Sequence, residues 1–301
     1  MRKNQKSACN CGGRSATGHD VGEQIELLSK RIRFLSEQLS DHLRADPSDN
    51  DSRSRASRMA DQLERIVGGR PVDPGAFPEC CLIGNSSAGG FLNEWFCTGT
   101  LIHPRLVITA DHCIFSRFDP NSIGIGVEQE SNVQPANIVR ISRIKQHPTE
   151  DIALLILQTA PTVAPIARAT SDEVANASRI ELVGFGNDNP AGSMGFGIKR
   201  QVNVPMNVVR KTPQENLSAA ESTLGFNSMT EFVAGRKGSG QDSCNGDSGG
   251  PAYVHVDSQR KLAGATSRAT DEANDNCGDG GIYVRVDSVS DWIDETIAEM
   301  R

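Results

Sequence analysis

The chain has 301 residues, 37% of them hydrophobic and a further 29 glycine, the composition of a folded globular protein and not of a wholly disordered one. No run approaches the ~18 apolar residues of a membrane-spanning helix, and a net charge of −7 argues against a surface built mainly for nucleic acid. Eight cysteines are too few for a disulfide scaffold at this length and enough for a few staples.

The charge is unevenly placed: residues 1–65 carry 12 basic and 10 acidic side chains, the rest 19 and 28. The start, MRKNQKSACNCGG, is basic with no apolar stretch after it, so it is not read as a secretory signal peptide. Val21, Ile25, Leu28, Ile32, Leu35 and Leu39 recur at alternating steps of four and three, which predicts a helix over about 20–44 with Asp20 as its N-cap and Asp46-Pro47 as its stop. Its apolar stripe suits packing on the rest of the chain or self-association through a short coiled coil. Residues 45–64 read as an exposed linker, rich in Ser, Asp and Arg around DPSDNDSRSRAS.

After residue 65 the texture becomes β-rich. CCLIG (80–84), LVIT (106–109), NIVRI (137–141), IALLIL (152–157) and IELVGFG (180–186) are short apolar runs separated by Gly, Pro, Asn and Asp. Many short strands with turn signals between them predict an all-β barrel or sandwich. The end returns to helical spacing, with Val289, Trp292, Ile293 and Ile297 on one face.

Three stretches carry chemistry: TADHC with His112, EDIALLIL with Asp151, and DSCNGDSGGP with Ser248. Each alone is modest, since a lone His is usually structural, an Asp before an apolar strand is usually a turn residue and a Gly-rich loop is usually only a turn. Together they have a reason. A serine hydroxyl is a poor nucleophile at neutral pH and needs an adjacent base. A histidine can take its proton and return it to a leaving amine, and a carboxylate can fix the imidazole tautomer. Glycines beside the serine let backbone N–H groups reach a developing oxyanion.

Over residues 66–301 the sequence resembles the trypsin-like (chymotrypsin-fold) serine proteases. The resemblance rests on RIVGG (65–69), CTGTLIHPRLVITADHC (97–113), EDIALLIL and DSCNGDSGGP, in the chain order His, Asp, Ser. It implies two six-stranded antiparallel β-barrels with a C-terminal helix, a border near 165–180 and a cleft between the barrels. It also implies His112 as general base and acid, Asp151 as its orienter, Ser248 as nucleophile, and the N–H groups of Gly246 and Ser248 as the oxyanion hole. Asp242, Ser243, Ser267 and Gly281 match substrate-binding positions, with Asp242 at the base of a pocket for Arg or Lys.

The resemblance further casts residues 1–65 as a propeptide-like extension. Cutting after Arg65 would free the amino group of Ile66 to pair with Asp247. It pairs Cys97 with Cys113 and Cys244 with Cys277, and leaves Cys9, Cys11, Cys80 and Cys81 as unplaced thiols. Cys9 and Cys11 do not make a closed zinc site, so neither metal nor cofactor is expected. The expected partners are protein or peptide substrates, with self-association through the 20–44 helix, and neither nucleic acid nor membrane. The bridges favour an oxidising compartment, while the reading of the N-terminus favours the cytoplasm. Three residues depart from the family pattern. Arg268 and Ala269 stand where an aromatic residue and glycine are usual, and Asp111 stands beside His112 where a small residue is usual. The rival reading is a catalytically silent relative acting as a binding module.

Overall fold

The computed structural model describes residues 69–87, 93–114, 120–189, 191, 193–212, 215–275 and 277–300. The predicted 20–44 helix, the 45–64 linker, Cys9, Cys11, Arg65 and Ile66 lie outside the described residues.

Thirteen strands are present among the described residues. Six form a closed barrel in the order β2 (Cys80–Ser86), β3 (Asn93–His103), β4 (Leu106–Thr109), β7 (Ala153–Leu157), β6 (Ile138–Gln146) and β5 (Ser122–Gly124). A second set runs β9 (Arg200–Val208), β10 (Glu231–Ala234), β13 (Gly281–Arg285), β12 (Gln259–Ala269), β11 (Pro251–Val256) and β8 (Arg179–Gly184). Pairing of β8 with β9 closes it into a second barrel, and the two-residue β1 (Arg70–Pro71) is added on β9. All these pairings are antiparallel, and the connection 158–178 separates the barrels where the border was expected. It carries the short helix α1 (Ser171–Ala175), started by a reciprocal cap between Thr170 and Glu173.

The apolar runs of β2, β4 and β7 are continuous because both faces of these strands are buried, whereas β6 is largely half-buried or exposed. Successive side chains point to opposite faces. Cys81, Ile83, Val107, Leu155 and Leu157 therefore fill the first barrel. Their neighbours Cys80, Leu82, Leu106, Ile108, Leu154 and Ile156 face outward into a layer shared with Val183, Phe185, Tyr253, Leu262 and Val284 of the second barrel. Ile180, Leu182, Val202, Val204, Phe232, Val254 and Tyr283 fill the second barrel. The shared layer also receives the C-terminal helix α2 (Ser290–Glu299) through Ile293, with Trp292 and Ile297 half-buried against it. This is the helical face expected from the sequence. The shared apolar layer fixes the two barrels against each other, so groups on their facing loops are held at a set separation.

Candidate active site

His112 sits in a single 3₁₀ turn, Asp111–Cys113, immediately after β4. Asp151 opens the approach to β7, which pairs with β4. The pairing of Thr109 with Ala153 brings the two residues together across the strand ends. The Asp151 carboxylate accepts from His112 three times: the backbone N–H reaches Oδ1 at 2.9 Å, and ring Nδ1 lies 2.9 Å from Oδ2 and 3.1 Å from Oδ1. Ser267, from the second barrel, donates its hydroxyl to Oδ2 at 2.5 Å. Burial raises the Asp151 carboxyl, but the His112 ring and its charge, the Ser267 hydroxyl and the His112 N–H together hold it below the ordinary carboxylate value. An ionised Asp151 accepting from Nδ1 leaves the hydrogen there and the lone pair on Nε2 of a half-exposed ring (43%).

The Ser248 loop is pinned to the same wall. Thr98 of β3 donates its N–H to the Ser248 carbonyl at 3.0 Å and its hydroxyl to the Gly246 carbonyl at 2.8 Å. Cys97, the preceding residue, is bridged to Cys113 in the turn that carries His112. Two adjacent residues of β3 thus anchor both the histidine turn and the serine loop. Gly246 has φ of +96°, a conformation that L side chains rarely adopt, and the Phe196 ring occupies the space a Cβ would need. The N–H groups of Gly246 and Ser248 donate to no acceptor among the described residues. Ser248 Oγ makes no hydrogen bond to His112 among the described residues, and catalytic hydrogen bonds commonly tighten only when substrate is bound.

Asp247 is fully buried behind this loop and accepts from the N–H groups of Gly186 and Cys244, both at 2.8 Å. Burial pushes its carboxyl up to about 6 against those hydrogen bonds and the charge of Arg200. A Cβ on Gly186 would come within 2.6 Å of the Asp247 carboxylate, so the close approach requires glycine there.

Asp242 is buried six residues before Ser248. Tyr283 donates to it at 2.8 Å and the Ser243 hydroxyl at 3.3 Å. Burial pushes Asp242 up to about 7 despite these bonds. A Cβ on Gly281 would lie 3.1 Å from its Oδ1, so Gly281 stands directly against it. The second bridge, Cys244–Cys277, joins this loop to the segment before β13. Cys80 and Cys81 are free and fully buried, and burial pushes the Cys80 thiol up to about 12.

Two of the departures from the family pattern, Asp111 and Arg268, have polar partners. Asp111 accepts from Gln146 Nε2 at 2.7 Å. Arg268 forms two charged contacts with Glu231, at 2.6 and 3.0 Å. The sequence pointed to Ser267 and Arg268 but not to Glu231 or Tyr283. Tyr283 lies two residues from Gly281 in GGIYVRV, and that proximity was the available signal. Glu231, in a plain EFVA strand, gave none.

The family model for Trypsin matches residues 66–293. The chain is 31% identical over 248 residues to Transmembrane protease serine 5 of Homo sapiens, covering 77% of this chain and 51% of that protein. It is 31% identical over 248 residues to Trypsin Tyr p 3.0101 of Tyrophagus putrescentiae (76% of this chain, 79% of the relative) and 31% over 246 residues to Trypsin 5G1 of Aedes aegypti (77% and 84%). The chain spans about half the length of the first of these relatives. Two barrels, a histidine turn and a serine loop facing each other across them define the class. The chain belongs to the trypsin family of serine proteases.

Proposed function

We propose that this chain is a serine endopeptidase cleaving after Arg or Lys. The observation that carries the reading is the hydrogen-bonded set His112, Asp151 and Ser267, facing a serine loop fixed to the same strand. His112 Nε2 takes the Ser248 proton as Oγ bonds to the substrate carbonyl carbon. The carbonyl oxygen becomes an oxyanion held by the N–H groups of Gly246 and Ser248. The imidazolium returns the proton to the leaving amine, the C–N bond breaks, and an acyl-enzyme remains on Ser248. Water, deprotonated by His112, then attacks the acyl carbon, the bond to Ser248 Oγ breaks, His112 returns the proton to Oγ, and the acid leaves. Asp242 supplies the counter-charge for a P1 cation.

Residues 1–65 act in this reading as an activation segment. Cutting after Arg65 frees the Ile66 ammonium to pair with Asp247, a fully buried carboxylate placed behind the oxyanion loop. The two disulfides fit an oxidising, extracellular setting. No helix among the described residues is long and apolar enough to cross a membrane. Self-association through 20–44 is tested by comparing the size of the full chain with that of a 66–301 fragment.

The proposal is tested by reacting the chain with an arginyl phosphonate before and after cutting at Arg65. Stoichiometric labelling of Ser248 only after cutting is expected. Arg65→Gln is expected to stay full-length and unlabelled, and full activity in that variant refutes activation at this bond. Cutting should also raise Tm more at pH 7 than at pH 5. The reason is that burial raises the Asp247 pKa, so its stability contribution is complete below the ordinary carboxylate pKa and lost as pH rises through about 6. The ammonium offsets that loss only where Asp247 is ionised.

The rival reading, a silent binding module, draws on Ser248 Oγ standing unbonded to His112. An unlabelled Ser248 in the cut chain would favour it. Gly186→Ala gives a further check. Its methyl group displaces Asp247 and with it the loop bearing Gly246, and kcat is expected to fall at least about 10²-fold, the loss that follows when one oxyanion donor is removed.

A further inference from the structure

β12 delivers Ser267 and Arg268 side by side to the site. The Ser267 hydroxyl has a single proton, and it is given to Asp151 Oδ2. Its oxygen is then free to accept, and Arg268 Nη1 donates to it at 3.1 Å. Arg268 is itself held from three sides: by Glu231 Oε1 and Oε2 at 2.6 and 3.0 Å, and by the Gly225 carbonyl at 3.0 Å. Glu231 is 5% exposed at the start of β10, where its Oε2 also takes the N–H of Asn227 at 2.6 Å. A continuous chain therefore runs Glu231, Arg268, Ser267, Asp151, His112 from the second barrel into the first.

We propose that Arg268, clamped by Glu231, is a positioning residue for the catalytic carboxylate: it orients the Ser267 hydroxyl onto Asp151 and sets the charge that the His112 imidazole experiences. The inference rests on the catalytic reading of His112, Asp151 and Ser248 given above. With Arg268 donating to it, Ser267 Oγ cannot turn its proton elsewhere without losing a charge-assisted bond. The cation also offsets part of the Asp151 charge, which otherwise favours imidazolium.

The other groups facing this centre are few. Asp111, on the histidine turn, is held by Gln146 of β6. In the loop before Asp151, Glu150 accepts from Thr230 Oγ1 at 2.7 Å, and His147 packs edge-on against Trp292 of α2. Asp271, beyond β12, acts on Arg268. Arg268 is the cation of that set. Its removal should raise the His112 pKa, and neutralising Glu231 should lower it.

The test uses the full chain cut at Arg65, with a single-residue arginine ester that reaches no farther than the P1 pocket. His112 is followed directly by NMR titration of its ring carbon. Arg268→Met is expected to raise the His112 pKa by about half a unit and to lower kcat several-fold with KM within about twofold. Arg268→Lys, which keeps the charge, should leave the pKa near that of the parent. Glu231→Gln should lower it by a similar half unit. A parent-like pKa in Arg268→Met, or shifts of the same sign in Arg268→Met and Glu231→Gln, overturns the proposal. If Arg268→Met does not fold, the downward shift in Glu231→Gln and the unmoved pKa in Arg268→Lys decide the matter. A parent chain that titrates normally but does not hydrolyse the ester sinks the catalytic reading instead, and the NMR shifts still judge Arg268.

Discussion

Asp151→Asn is expected to lower kcat by about 10⁴-fold while KM stays within a few-fold, the size this change has in the best-characterised serine-protease triad. The carboxylate is the hub of the site. It receives the His112 N–H, the His112 ring N–H and the Ser267 hydroxyl, and all three are donors. An amide has one accepting oxygen and one donating nitrogen. If the oxygen takes the Oδ1 place and accepts from the backbone N–H, the NH₂ takes the Oδ2 place, 2.9 Å from Nδ1, and forces that nitrogen to accept. The hydrogen then moves to Nε2, and the ring can no longer take the Ser248 proton. The fold should be retained, because the Thr109–Ala153 pairing that carries both residues does not depend on the charge. The pH profile is a second readout. Asp151 is ionised throughout the working range, its pKa lying below the ordinary carboxylate value, so the parent's acidic limb belongs to other groups. A variant that keeps more than a tenth of the parent kcat would remove Asp151 from its assigned role.

The parts of this architecture that were legible in the sequence are those fixed by local pattern. LVIT and IALLIL form β4 and β7 because an apolar run this short, bounded by polar punctuation and carrying β-branched residues, suits a strand buried on both faces better than a helix. The adjacent cysteines at 80 and 81 show the limit of such reading. Period-two geometry sends Cys81 into the first barrel and Cys80 into the layer between barrels, so both are fully buried on opposite sides of one strand. From the sequence they were merely unplaced thiols. Partnerships across long separations were also invisible. Arg268 stood out only as a departure from the family pattern, yet the structure pairs it with Glu231, 37 residues away on another strand. Asp111 was likewise only a departure beside His112, and it accepts from Gln146, 35 residues on. A charged side chain announces that it needs a partner, and only the barrel registers determine which partner it meets.

The second large effect concerns Asp242. Asp242→Ser is expected to lower kcat/KM for arginine and lysine esters by about 10⁴–10⁵-fold, the range by which a site built for one polar group rejects the wrong pairing. Esters of uncharged residues should lose far less. The pH dependence makes the assignment sharper than the size of the loss. Burial pushes the Asp242 carboxyl up to about 7, even with Tyr283 and Ser243 donating to it. A cationic side chain entering this site binds the ionised form, so below about pH 7 binding must expel a proton. Calorimetry of an aryl amidine in buffers of different ionisation enthalpy should therefore show close to one proton released at pH 6 and close to none at pH 9. The same linkage governs stability. A carboxyl whose pKa is raised on folding gives stability that is complete below its ordinary value and is lost as pH rises through about 7, so the amidine should raise Tm most in alkaline solution. In Asp242→Ser the proton release and the alkaline Tm gain should vanish together. If proton release persists in that variant, the titrating group is another residue and Asp242 does not face the P1 cation.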